Sequence, residues 1–242
     1  MMRKKNIVAI VPARGGSKSI PYKNLKKIQN KPLIYFILKT LTQVKSIDRI
    51  IVSTEDTKIK KVVKKLFPKL EIIDRAKKLS TDRIALTEVV KHVAKEIHNK
   101  SYRPDIVLQV APTCPYIKKK TIEDIVKKLI NNKSDCVVTL KRIEHEHPYR
   151  AKELNKKTKF FKSFIKNVNV EKFISRQDLP ELYCTSGAIY GRTYELLQKF
   201  NNKDFCLGKN PIGVVVDDVE ATNIDRPIDF EFAEFLGKKN KK

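Results

Sequence analysis

The sequence predicts an α/β protein in which helices cover a mainly parallel, twisted sheet. Three observations carry that reading. Apolar, β-branched runs alternate with amphipathic stretches along most of the 242 residues, the rhythm of parallel strands joined by crossover helices. The first run, Ile7-Val8-Ala9-Ile10-Val11, is apolar at every position, as a strand buried on both faces must be. It then enters a loop, residues 12–24, that holds Gly15, Gly16 and the cations Arg14, Lys18 and Lys23. In open α/β sheets the crevice beyond the carboxyl ends of the strands is where ligands bind.

The remaining elements follow in order. Pro32 opens an amphipathic helix over residues 33–44, proline being favoured in a first turn. Residues 49–53 read as the second strand, and a helix over 56–67 sets Ile59, Val62, Val63 and Leu66 on one face. A short strand at 70–73 and a helix at 87–98 precede a central strand at 106–110, which ends in Ala111-Pro112-Thr113-Cys114-Pro115. A helix at 121–130 and a strand at 136–140 continue the rhythm. It breaks over 141–183, where polar, charged and aromatic residues mix without a sustained period. Such a stretch suits a lid, a dimerisation arm or a small antiparallel subdomain. Regular structure returns with a strand at 188–190, a helix from about 193, a strand at 212–216 and a helix at 227–236. The expectation is one domain, 1–242, with an excursion inside it.

Composition narrows the function classes. The 41% hydrophobic content supplies a core, while no apolar run approaches the roughly 20 residues a membrane span needs. The apolar segment behind the basic N-terminus is too short for a signal peptide, which gives a cytoplasmic expectation with no membrane partner. Four separated cysteines form no C-x-x-C pair, against a disulfide framework or zinc site. The net charge of +25 invites nucleic acid. The lysines, however, are spread along polar helix faces without interleaved aromatics, so no specific nucleic-acid partner is expected, and the field favours small anionic substrates.

The opening loop has neither the G-x-x-x-x-G-K-[ST] nor the G-x-G-x-x-G spacing. Its glycines still admit close backbone approach to phosphate, and its cations can neutralise it. The run Pro12-Ala13-Arg14-Gly15-Gly16-Ser17-Lys18-Ser19-Ile20-Pro21-Tyr22-Lys23-Asn24 closely resembles the N-terminal signature of acylneuraminate cytidylyltransferases, which make CMP-activated sialic acids and related nine-carbon acids. Four further segments resemble that family in the same order. Residues 74–82 resemble its R-P-x-x-L-A-x-D loop, with Arg75 and Asp82 at matching positions. Residues 111–115 resemble its Q-P-T-S-P-L-R turn, with Ala111 in place of Gln and Ile117 in place of Arg; Gln109 points the same way by strand alternation. Residues 175–190 resemble R-Q-x-x-P-x-x-Y-x-x-N-G-A-I-Y, with Arg176 retained and Ser186 in place of Asn. Residues 223–234 resemble D-I-D-T-P-x-D-F-x-x-A-E, with Asp225 retained and Asn223 in place of Asp.

The resemblance implies a three-layer, Rossmann-like nucleotidyltransferase fold with a small dimerisation excursion. It implies transfer of CMP from CTP to a nonulosonic, sialic-type acid, with release of pyrophosphate. By position it implies Arg14, Lys23 and Arg176 as catalytic residues, and Ala13, Arg14, Gly15, Asn24, Arg75, Asp82 and Gln109 as nucleotide contacts. Ser186, Gly187 and His147 fall to the acceptor, with Arg150 a weaker candidate, and Asp225 with Asn223 to Mg²⁺ or Mn²⁺. It also implies a homodimer, with Phe160, Phe161, Phe164 and Phe173 as candidate contacts. The residues alone leave other readings open: Asp82 as a helix cap, Asp217 and Asp218 as turn residues beside a metal role, Asp229 as first-turn charge on the last helix. Glu144-His145-Glu146-His147 lacks the spacing of H-E-x-x-H. Two alternatives to the leading function stand: a transferase for another 2-keto sugar acid such as 3-deoxy-octulosonate, and a non-catalytic nucleotide or nucleic-acid binding protein.

Overall fold

A computed structural model describes residues 3–17, 19–81, 84–98, 102–131 and 134–239. Strand β1 (Ile7–Pro12) is buried throughout and lies near the middle of a seven-stranded sheet. The chain then forms a small hairpin, β2 (Lys27–Ile28) and β3 (Lys31–Pro32), helix α1 (Leu33–Thr42), β4 (Arg49–Thr54), α2 (Thr57–Leu66) and β5 (Glu71–Asp74). It returns through α3 (Leu86–His98) to β6 (Ile106–Val110), then α4 (Lys119–Asn131) and β7 (Cys136–Arg142). A second hairpin, β8 (Lys152–Leu154) and β9 (Phe161–Ser163), precedes β10 (Tyr183–Thr193), α5 (Tyr194–Gln198), β11 (Ile212–Val215) and α6 (Pro227–Lys239).

The sheet order is β11-β7-β10-β6-β1-β4-β5. Only β10 runs against the others, pairing antiparallel with both β6 and β7. Strand alternation divides β1 between two cores. Ile7, Ala9 and Val11 face α1, α2 and α4, while Val8 and Ile10 face α3 and α5. This is the three-layer arrangement. A third apolar cluster joins Ile20, Ile28 and Leu33 to Ile224, Phe230 and Ala233, so α6 packs back on the segment that follows the first loop. The chain leaves β1 toward β4 and comes back across it to β6, which makes the carboxyl ends of β1 and β6 the switch point where a crevice opens.

Local chemistry explains the element ends. Asp56 caps α2, its Oδ1 accepting the Ile59 N–H at 2.8 Å. Thr193 caps α5, its Oγ1 accepting the Leu196 N–H at 3.2 Å. Pro32 sits just before α1 rather than inside its first turn. The largest departure from expectation is β10, which spans Tyr183–Thr193 rather than 188–190 and starts where the excursion was expected to end. Its register with β7 shifts between Thr185 and Tyr190, and Gly187 there has φ +77°, a conformation open to glycine. The shift breaks the two-residue period that would have revealed the strand. The excursion itself holds the β8–β9 hairpin and short 3₁₀ turns.

Gly191 of β10 lies directly under α4. A Cβ built there would come within 2.7 Å of Leu129 Cδ1 and 2.9 Å of Ile125 Cγ2. Gly191→Val should therefore destabilise the fold by about 1–3 kcal/mol through overpacking, read as a lower urea midpoint with an unchanged m-value.

Candidate active site

The switch point opens into a cleft of about 540 Å³. Three walls build it. The loop after β1 supplies Arg14, Ser17, Lys23 and Asn24. The loop after β5 and the start of α3 supply Arg75, Thr81 and residues 84–87. Across the cleft stand Gln109, Ala111 and Thr113 from β6 and its turn, Gly187, Tyr190 and Arg192 from β10, then Phe205, Asn223 and Asp225. Among the described residues that line it, four carry positive charge and one, Asp225, is acidic. A basic surface alone would not produce this ratio, because most of the chain's lysines lie elsewhere, on solvated faces.

Each cation is held in a different way. Lys23 Nζ donates to the Ile224 carbonyl at 2.7 Å and to Asp225 Oδ1 at 2.9 Å, with its own side chain mostly buried. Arg75 is 5% exposed, and its Nε and Nη2 both donate to the Leu79 carbonyl. Its Nη1 is buried with no partner among the described residues. Burial pushes its pKa down; Glu55 opposes that shift and Arg14 adds to it. Arg14 lines the cleft beside Asn24, whose Nδ2 donates to the Arg14 carbonyl at 3.1 Å. Arg192 is 2% exposed and donates to Gln109 Oε1 at 3.1 Å.

Orphaned polar atoms point the same way. Six buried side-chain polar atoms lack a hydrogen-bond partner among the described residues, and three of them belong to the cleft lining: Asn24 Oδ1, Arg75 Nη1 and Asn223 Oδ1. Buried polar atoms are normally satisfied, so the cleft presents a donor and two acceptors that a ligand can meet. Asn223 also donates from Nδ2 to Asp225 Oδ2 at 3.0 Å. The corner supplies a carboxylate and an amide oxygen, hard ligands of the type a small divalent cation takes, with the amide turning its NH₂ toward Asp225 Oδ2 and Lys23 holding Asp225 Oδ1. The described residues hold no group of three or more His, Cys, Asp or Glu side chains able to bind a metal alone.

The other residues named from the sequence are distributed as follows. Ala13 is buried behind the loop, its N–H donating to the Ser53 carbonyl at 2.9 Å. Gly15 donates its N–H to Glu55 Oε1 at 2.9 Å, and a Cβ there would strike the Asp56 carboxylate. Gly187 lines the cleft, but its neighbour Ser186 faces away, its Oγ bonded to Thr139 Oγ1 at 2.7 Å. His147 is buried under the excursion. Its Nδ1 accepts the Tyr149 N–H and its Nε2 meets the Pro180 carbonyl at 3.1 Å, so both ring nitrogens are engaged. Arg176 lies outside the cleft, ion-paired with Glu144. Asp217 accepts from Lys118 at 2.5 Å and from the Glu220 N–H at 2.8 Å, a turn role away from the cleft. Asp229 accepts the Asp225 and Arg226 N–H groups at the start of α6. Lys18 and Asp82 lie outside the described residues. Sequence reasoning missed Arg192, Thr87 and Phe205; the one available signal was an arginine placed directly after the run Ala188-Ile189-Tyr190-Gly191.

The sequence profile of the family described as cytidylyltransferase matches residues 8–240. The chain belongs to the cytidylyltransferase family. It is 30% identical over 237 residues to a pseudaminic acid cytidylyltransferase of Campylobacter jejuni, covering 98% of this chain and 97% of that one. It is 27% identical over 239 residues to a CMP-N,N'-diacetyllegionaminic acid synthase of Legionella pneumophila, covering 97% of each. Among solved structures, a CMP:2-keto-3-deoxy-manno-octonic acid synthetase complexed with CTP superposes with a TM-score of 0.73 at 18% identity, over 98% of this chain and 100% of that one. That likeness establishes the fold. As a cytidylyltransferase, the chain is a nucleotidyl-transferring enzyme, and the cleft at its switch point is the candidate site for that chemistry.

Proposed function

We propose that this cleft binds CTP together with a nonulosonic acid and transfers CMP to the acid's anomeric hydroxyl. The hydroxyl oxygen forms a bond to the α-phosphorus and gives up its proton to solvent, the bond from that phosphorus to the bridging oxygen breaks, and pyrophosphate leaves. The observation that carries the reading is the cleft's charge: four cations and one carboxylate, two of the cations desolvated, at the ligand-binding end of an α/β sheet. The relatives that span nearly the full chain act, by name, on pseudaminic and diacetyllegionaminic acids, which favours a nonulosonic acceptor.

Nucleotidyl transfer is mainly positioning and charge stabilisation, and the residues suit that. Arg14, Lys23 and Arg75 face the triphosphate, Arg75 through an Nη1 that has no partner among the described residues. Asn24 Oδ1, buried and unpartnered, accepts from a nucleotide N–H or hydroxyl. Asp225 and Asn223 would hold Mg²⁺ or Mn²⁺, which when bound screens phosphate charge. Four unpaired cysteines, three of them buried, suit a reducing, cytoplasmic setting. Pyrophosphate release with CTP, Mg²⁺ and a panel of nonulosonic acids and 3-deoxy-octulosonate tests the reading. Turnover is expected on at least one nonulosonic acid, with kcat/KM reduced by about 100-fold or more in Arg14→Ala and Asp225→Ala. Normal turnover in both variants would remove these residues from the site.

A homodimer is part of the same proposal. Phe160, Phe161 and Phe164, close in sequence, are exposed, Phe160 at 79%, and Ile174 of the same excursion is 87% exposed, more bare apolar side chain than monomers commonly leave open. Phe173 instead packs on Tyr149, ring centroids 5.1 Å apart. Light scattering on a sizing column should give twice the 28.0 kDa chain mass, and Phe160→Ser with Phe161→Ser should return the monomer. A monomeric wild-type protein at micromolar concentration would overturn the dimer.

A further inference from the structure

Arg192 is the most deeply buried charged side chain among the described residues, and it lines the cleft. Its Nε donates to the Cys206 carbonyl at 2.7 Å, its Nη2 to the Phe205 carbonyl at 3.0 Å and its Nη1 to Gln109 Oε1 at 3.1 Å. The guanidinium also lies over the Tyr190 ring, 4.9 Å from its centroid. All of these partners are neutral. A guanidinium taken out of water without a counter-charge is costly, and burial pulls this one's pKa down, with only thiols and a phenol pulling the other way. A guanidinium carries five N–H groups, and the three contacts leave it N–H groups to spare.

Gln109 extends the same surface. Its Oε1 accepts from Arg192 Nη1 and from the Thr87 hydroxyl at 3.3 Å. Arginine has no acceptor, so the amide cannot be turned over: its oxygen faces Arg192 and its NH₂ has no partner among the described residues. The neighbouring positive charge polarises that NH₂ toward an anion. The triphosphate grip lies elsewhere. It is built on the loops after β1 and β5, and β1 is two strand spacings from β10, about 10 Å.

We propose that Arg192 and Gln109 form the subsite for the carboxylate of the acceptor acid, Arg192 supplying charge and Gln109 its amide N–H groups. The inference rests on the functional reading above, in which the acceptor's carboxylate is the one anionic group besides the triphosphate. It moves Gln109 from the nucleotide contacts to the acceptor contacts. Phe205, held at the cleft by its own carbonyl's bond to Arg192, then stands beside the acceptor.

Steady-state kinetics of Arg192→Met, Arg192→Lys and Gln109→Glu test it with CTP and the preferred acid. The KM for the acid should rise about tenfold or more in Arg192→Met and Gln109→Glu while the KM for CTP stays within about twofold, the loss expected of a charge-assisted contact. Arg192→Lys should recover part of the loss. Gln109→Glu gives Arg192 an internal counter-ion, so its thermal midpoint should match or exceed that of the wild type, which separates a lost subsite from a damaged fold. A KM for CTP that rises in parallel, or an acid KM that does not move, overturns the subsite. A wild-type protein that turns over none of the acids overturns the functional reading itself, which is a different result.

Discussion

The ammonium of Lys23 bridges the loop after β1 to the junction before α6, donating to residues 201 and 202 positions away. The cleft depends on that closure. Without it, the loop after β1 and the Asn223–Asp225 corner, which line the cleft from opposite ends of the chain, lose this polar link. The ion pair alone cannot supply the energy, since the Asp225 side chain is 64% exposed and exposed pairs contribute little. Affinity between the two segments comes from the apolar cluster of Ile20, Ile28 and Leu33 with Ile224, Phe230 and Ala233. Lys23, its side chain 13% exposed and bonded to a carbonyl as well as a carboxylate, sets the register in which that cluster closes.

Charge has two roles in this chain. The many surface lysines create a diffuse positive field that raises the local concentration of anionic substrates. Arg75 and Arg192 act at close range. Both are desolvated, neither is paired with a carboxylate among the described residues, and both line the cleft. Such groups lower the stability of the free protein and are repaid when an anion binds. Under the proposed assignment, a triphosphate at Arg75 and a carboxylate at Arg192 would give each buried arginine its own anion.

Much of this was legible in the sequence, for physical reasons. Strand β1 announces itself as an unbroken apolar run and helix α2 by its period, and the first loop and residues 223–225 by ordered motifs, so their convergence on one cleft was readable. The rest was hidden by side-chain direction. Ser186 and Gly187 are adjacent in one motif, yet only Gly187 lines the cleft, because the register shift and the left-handed turn at Gly187 leave the Ser186 hydroxyl bonded to Thr139 instead. His147 and Arg176 lie in motif segments whose path is set by the excursion, and local pattern says nothing about where such a segment folds back. Phe205 was silent and Arg192 nearly so, because their meaning comes from contacts between β10, β6 and the loop before β11, none of them local.

The central claim is that the two ends of the chain make one site through Lys23. A double-mutant cycle on kcat/KM with Lys23→Met and Asp225→Asn addresses it directly. Groups in contact that act as a unit give non-additive losses, so the double variant should be little worse than the poorer single one. Losses that multiply independently would show that Lys23 and Asp225 serve separate tasks and would contradict the account.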